Sequence, residues 1–215
     1  MDDKIELLGK KQELLKAYKK GVMQKIFAQA IRFKADDGSE FADWEEKKLK
    51  DSFDVVKPKK VKDGLSPYLE IGDINSSNHT YTLKDKATVS GAIAIEKDTL
   101  LISTVRPGLN KIVITKSNVY ASSAFATIKL KNSFLFHLLT TKKFNNLLVR
   151  LSEGGTYPTI NKLYIYSLSA YLPVEEEQTK IANFLSSIDN KIEQVGEQLD
   201  KSKEFKKALL QQMFV

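Results

Sequence analysis

Apolar positions along the chain follow two rhythms. Near each end they recur every three or four residues among lysines and glutamates, the period of an amphipathic helix. In residues 2–27 the stripe is Ile5, Leu8, Leu15, Tyr18, Val22 and Ile26, interrupted by Gln12. In the last 40 or so residues, Leu185, Ile188, Ile192, Val195, Leu199 and Ser202 step in the same way, and Phe205, Leu209 and Met213 continue the stripe. A narrow apolar seam with charged flanks is the pattern of paired, coiled-coil-like helices. Between them, residues about 44–172 carry short or alternating apolar runs of strand character. These are Pro67–Ile71, Leu100–Val105, Lys111–Thr115, Phe125–Leu130 and Leu163–Leu168. Turns are marked by Asp63-Gly64, Pro107-Gly108 and Gly154-Gly155. Phe134–Leu148 has helical spacing. The polar stretch Ala35–Asp43 reads as a linker, and Pro173 followed by Glu175, Glu176 and Glu177 reads as a helix start whose carboxylates suit the N-terminal dipole.

The two helical segments are copies of one module. Residues 2–27 align without a gap on 189–214, at a constant offset of 187 (189 minus 2). Asp2 matches Asp189, Lys4 Lys191, Ile5 Ile192, Glu6 Glu193, Gly9 Gly196, Lys16 Lys203, Lys19 Lys206, Lys20 Lys207, Gln24 Gln211 and Phe27 Phe214. A mid-helix glycine costs up to about 1 kcal/mol, so Gly9 and Gly196 are expected where two backbones approach closely; a tolerated surface glycine is the plainer alternative. The predicted fold class is α+β: one mixed, strand-rich domain flanked by two long repeat-related helices that form an antiparallel coiled-coil-like pair.

Composition narrows the partner. Lys and Arg number 34 against 27 Asp and Glu, a formal charge of +7, which favours a polyanion. Hydrophobic residues at 42% allow a real core. With no cysteine there are no disulfides and no thiolate metal sites. No basic-then-apolar leader pattern opens the chain, and no apolar run approaches the roughly 20 residues that span a bilayer. A cytoplasmic protein with no membrane partner is expected. Catalytic signatures are missing: there is no GxxxxGK[ST] phosphate loop and no Asn/Asp-Pro-Pro-Tyr/Phe methyltransferase motif. The only histidines, His79 and His137, lie far from any paired ligand pattern and read as structural or surface residues. No cofactor and no metal site are expected, and Glu175–Glu177 is read as helix-start chemistry.

Particular residues carry a family resemblance. Leu172-Pro173-Val174, then Glu177-Gln178, Lys180-Ile181, Phe184-Leu185 and Ile188-Asp189, resemble the stretch where a recognition domain runs into the long conserved helix of type I restriction–modification DNA specificity subunits. Lys206–Phe214 resembles the end of that helix. Trp44 with Lys48-Leu49, Pro67-Tyr68-Leu69, Gly72-Asp73-Ile74, Leu100-Leu101-Ile102-Ser103 with Arg106, and Gly154-Gly155-Thr156 resemble features of a target-recognition domain. The implied domains are helix 1–34, linker 35–43, target-recognition domain 44–172 and second helix 173–215. Full-length members have two recognition domains, each followed by a helix, so this chain resembles a half-length form: a natural half-subunit, a product of gene truncation or rearrangement, or a fragment.

The resemblance implies a protein with no chemistry of its own, a non-catalytic subunit. It would read double-stranded DNA at a bipartite target for methyltransferase (modification) subunits and, when present, restriction subunits. Base edges must be read by side chains that phosphate contacts hold in register. Arg106, in a loop after an apolar strand, is the first candidate, since arginine engages guanine bidentately. Lys57, Lys59, Lys60 and Lys62 form a basic cluster suited to phosphate; Lys142, Lys143 and Arg150 form another; Thr156 and Tyr157 follow the glycine pair. Each is otherwise an ordinary solvated side chain. The helices act as a spacer: about 30 residues at ~1.5 Å each give roughly 45 Å, on the order of 13 base pairs. Ile5, Leu8, Leu15, Tyr18, Val22, Ile188, Ile192, Val195, Leu199, Phe205 and Leu209 are the expected helix-pair or partner interface. With one domain per chain, a homodimer would read two inverted half-sites; a second, different half-subunit is the competitor. A coiled-coil interaction protein with a carbohydrate- or protein-binding domain, a metal-dependent nuclease, and a recombination product that never assembles stay open.

Overall fold

The computed structural model describes residues 1–213, with all side chains except those of residues 64, 65, 86, 87 and 213. Phe214, the last match of the repeat, lies outside the described residues. In chain order the elements are α1 (Asp2–Phe27), β1 (Glu45–Lys48), α2 (Leu49–Ser52), β2 (Asp54–Val55), β3 (Lys60–Leu69), β4 (Ile74–Asn75) and β5 (Thr80–Tyr81). They continue as β6 (Lys84–Ile95), β7 (Thr99–Ser103), β8 (Ile112–Ile114), β9 (Val119–Ser122), β10 (Phe125–Lys129), α3 (Phe134–Leu139) and α4 (Lys142–Arg150). Last come α5 (Lys162–Ser167), β11 (Ser169–Leu172) and α6 (Glu175–Met213). Two compact units result: Met1–Glu40 together with the chain from Thr179, and Phe41–Gln178. Among the described residues no helix is long and apolar enough to cross a membrane.

The first unit is a helix pair. Lys206 is ion-paired with Asp2, the Gln12 amide lies against Gly196, and Lys19 Nζ donates to Asp189 Oδ1 at 2.5 Å. As numbering rises on α1 it falls on α6, so the two run antiparallel. The Lys206 hydrogen bond holds the Asp2 carboxyl below its ordinary pKa. Just beyond α1, Phe33 meets Phe184 edge-on at 5.6 Å, and Lys180 Nζ donates to Lys34 O at 2.7 Å and Asp36 Oδ1 at 2.5 Å. The repeat and the pairing are related. An offset of 187 carries Lys19 onto Lys206 and Asp2 onto Asp189, so the two ion pairs are one contact made twice with the helices exchanged. The pair therefore has an approximate internal two-fold.

Burial refines the expected seam. Ile188, Val195 and Leu199 are buried, and Ile5, Leu8, Leu15, Val22 and Ile192 are partly buried. Tyr18, Phe205 and Leu209 are exposed. Lys19 turns inward where Tyr18 was expected, because Asp189 meets its ammonium. The glycine expectation needs correcting as well. An added Cβ at Gly196 would lie 2.6 Å from Gln12 Nε2, whereas at Gly9 it would meet nothing within 4 Å. The offset turns Gln12 into Leu199, so the second close approach is not repeated.

The second unit is strand-rich. β1 and β11 pair antiparallel, from Glu45↔Leu172 to Lys48↔Ser169. An antiparallel sheet of order β2-β10-β7-β8 stands beside a closed arrangement of β3, β6 and β9. All five residues of β7 (Thr-Leu-Leu-Ile-Ser) are buried, as expected of a central strand covered on both faces. Leu101, Val113 and Phe125 from the sheet share a core with Leu69, Ile93, Val119 and Ala121 from the closed strands.

Three local expectations change. Asp63-Gly64, read as a turn, lies within strand β3. Leu163–Leu168, read as a strand-like run, falls mostly in α5: the Asn161 side chain accepts from Leu163 N–H at 2.9 Å and starts a helical turn that buries Ile165. Phe134–Leu148 is two helices rather than one, because Thr141 is extended and caps α4 by accepting from Phe144 N–H.

Candidate nucleic-acid interface

The geometry of interest lies where β7 runs out. Arg106 has φ 48° and ψ 58°, a left-handed conformation that non-glycine residues adopt only when their surroundings impose it. Here they do. Its N–H donates to Pro158 O at 2.7 Å, and the preceding Val105 bridges to Thr159. The guanidinium carbon sits 4.0 Å from the centre of the Tyr157 ring, a stacked cation–π contact. Tyr157 itself is 66% exposed, so the pair faces solvent. Gly154 has φ +98° and would place a Cβ 3.4 Å from Tyr157 O, so glycine is what lets this loop fold back. Two residues expected separately, Arg106 and Tyr157, are thus one unit.

A run of contacts connects this unit to the lysine cluster. Val61, Ala92 and Ser122 lie side by side on β3, β6 and β9. Ser123 N–H donates to Gly91 O at 3.1 Å, Thr104 N–H to Ala124 O at 2.9 Å, and Ile160 N–H to Thr104 O at 2.9 Å. Lys62 falls at the irregularity in β3–β6 pairing between Val61 and Asp63, next to this run. Lys57 and Lys59 lead into β3 and Lys60 begins it; all four lysines are exposed.

The α4 residues adjoin the same loop. An added Cβ at Gly108 would lie 3.3 Å from Val149, and Asn145 Nδ2 donates to Gly108 O at 3.5 Å. Arg150 is exposed in the last turn of α4, where a cation suits the helix dipole. Lys142 and Lys143 are exposed in its first turn, the less favourable end for a cation. Thr156 is exposed beside Tyr157.

Lys162 was missed by sequence reasoning. It is half-buried; its Nζ donates to Ser123 O at 2.6 Å, and burial pushes its pKa down. Nothing local in Asn161-Lys162-Leu163 marks it, because Ser123 comes from a distant turn. Exposed Leu109 and Val149 near Arg106 also went unremarked. His79 Nδ1 lies 3.0 Å from Ile112 O, and His137 is buried within α3. Among the described residues no group of three or more His, Cys, Asp or Glu could hold a metal.

Residues 42–201 match the family model described as type I restriction modification DNA specificity domain. Curated relatives include the type I restriction enzyme MjaVIII specificity subunit of Methanocaldococcus jannaschii, 27% identical over 94% of this chain and 54% of that protein. The HindI specificity subunit of Haemophilus influenzae is 33% identical over 46% of this chain and 24% of that protein. Among solved structures, a chain of a type I R-M system shares the fold at a TM-score of 0.61, with 19% identity over 82% of this chain and 50% of that one. The HsdS subunit from Thermoanaerobacter tengcongensis gives 0.57, with 19% identity over 79% of this chain and 48% of its own. This chain spans about half the length of the MjaVIII subunit.

Proposed function

The chain belongs to the type I restriction modification DNA specificity family, and from that membership we propose that it reads one half of a bipartite DNA target and directs methyltransferase and restriction subunits to it. The observation that carries this reading is the stacked, solvent-facing Arg106–Tyr157 pair, which a run of backbone hydrogen bonds links to the lysines at the start of β3. A rigid cation beside flexible ones suits base reading supported by phosphate contacts. Arg150, Lys142 and Lys143 on α4 extend the same basic surface, and Lys162 adds to it. Target-recognition residues 44–172 and the flanking helices 1–34 and 173–215 divide the work: the domain reads, and the helix pair binds partner subunits and sets half-site spacing.

A homodimer supplies the second half-site. The internal two-fold of the helix pair offers two equivalent outer surfaces for methyltransferase subunits. The chain adds specificity and no catalysis, acting in the compartment where the host DNA lies.

Co-expression with the methyltransferase subunit encoded beside it, followed by mapping of adenine methylation, tests this reading. Methylation at one bipartite motif that vanishes without this chain supports it. Identical inverted halves indicate the homodimer, and unlike halves indicate a second partner chain. Absence of any motif overturns the proposed role.

A further inference from the structure

We propose that Arg106 is the base-reading residue of its half-site and that it selects guanine from the major groove, with Tyr157 as its positioning residue. The inference rests on the DNA-recognition reading above and adds which residue reads and what it reads.

The argument begins with orientation. A phosphate contact needs charge but little direction, and exposed lysines meet that need. Bidentate recognition of guanine O6 and N7 needs a planar fork held at one angle. Arg106 is the cation held in that way. Its backbone is fixed in a left-handed conformation by the Pro158 carbonyl, and its guanidinium carbon lies over the Tyr157 ring, 4.0 Å from the ring centre. Among the described residues the guanidinium makes no hydrogen bond, so its N–H donors are available. Among the described residues no carboxylate is ion-paired with Arg106. A fixed, unneutralised and partly exposed guanidinium awaits an acceptor pair.

The surroundings favour a base over a phosphate. Leu109 and Val149, 47% and 44% exposed, border the Pro107-Gly108-Leu109 turn that Arg106 opens. Exposed apolar side chains next to an arginine gain nothing from a phosphate, while base edges and thymine methyl groups give them contact. The strained backbone points the same way, since a conformation of this kind persists where the surroundings over-determine it and function uses it.

The test uses the complex of this chain with its methyltransferase subunits on a library of duplexes carrying randomised target positions, with methylated products sequenced. The wild-type motif should contain one guanine per half-site that Arg106→Lys relaxes, with discrimination there falling about 5- to 150-fold and the other positions kept. Tyr157→Phe should keep the motif, because the ring remains; Tyr157→Ala should relax the same guanine and no other position. An Arg106→Lys complex that methylates less at every sequence, with its motif unchanged, would make Arg106 a phosphate contact and overturn the proposal. Relaxation at an adenine or cytosine would overturn it too. A wild-type complex with no motif at all would instead sink the DNA-recognition reading itself, so the two failures are distinct.

Discussion

The indole N–H of Trp44 donates to the carboxylate of Glu177 across 3.1 Å, with both side chains buried. These residues are 133 positions apart, and their bond joins the residue just before β1 to the first turn of α6. A buried hydrogen bond to a charged group contributes about 1.5–3 kcal/mol. Glu177→Ala should lower the free energy of unfolding in urea by about that much, while Glu175→Ala, whose partner Lys131 is exposed, should change it by less than about 1 kcal/mol. Equal effects would mean that the Trp44 bond has no special weight.

Gly9→Ala should stabilise the protein by about 0.5–1 kcal/mol, since alanine is the better helix former and the added methyl meets open space. Gly196→Ala should gain less, because Gln12 must move, and should recover the full gain when Gln12→Ala is added. Thermal unfolding of these three variants against wild type measures this. A loss at Gly9 would show that the position has a neighbour in solution.

Lys162 supplies a pH dependence. Burial lowers its folded pKa below the usual 10.5, so between the two values the folded state binds fewer protons than the unfolded state. Stability from this residue therefore rises with pH across that window, and the cost of its burial is fully present below it. Lys162→Met removes the titration. The variant's unfolding temperature relative to wild type should therefore fall as pH climbs toward 10.5. A difference that holds constant or grows would contradict the assignment.

Lys59→Ala with Lys62→Ala should weaken DNA binding without changing which sequence is methylated. The slope of log affinity against log salt should become shallower by roughly 0.9 for each phosphate that the protein no longer neutralises. A changed motif would place these lysines on bases.

Legibility followed sequence distance. The helix pair could be read from the chain because the repeat and the three-four spacing are local, and the two helices do pair antiparallel. The choice between Tyr18 and Lys19 could not, because one residue is about 100° around a helix and the decision belongs to Asp189 on the other helix of the pair. Leu163–Leu168 misled for a similar reason: its tyrosine and isoleucine content is β-prone, and the Asn161 cap starts a helical turn there instead. Arg106 and Tyr157 were each singled out locally, but their stacking depends on the Val105–Thr159 bridge, which no local pattern encodes. Lys162 was silent because its environment comes from Ser123.

The antiparallel β1–β11 ribbon brings Glu45 opposite Leu172, so the chain enters and leaves the reading unit at one doorway. Everything between can lengthen, shorten or be replaced while the two posts stay a strand's width apart, about 4.8 Å. On the proposed reading, such a unit would behave as an interchangeable cassette: exchanging residues 45–172 as a block between relatives should transplant the DNA sequence selected and leave the joints unaltered.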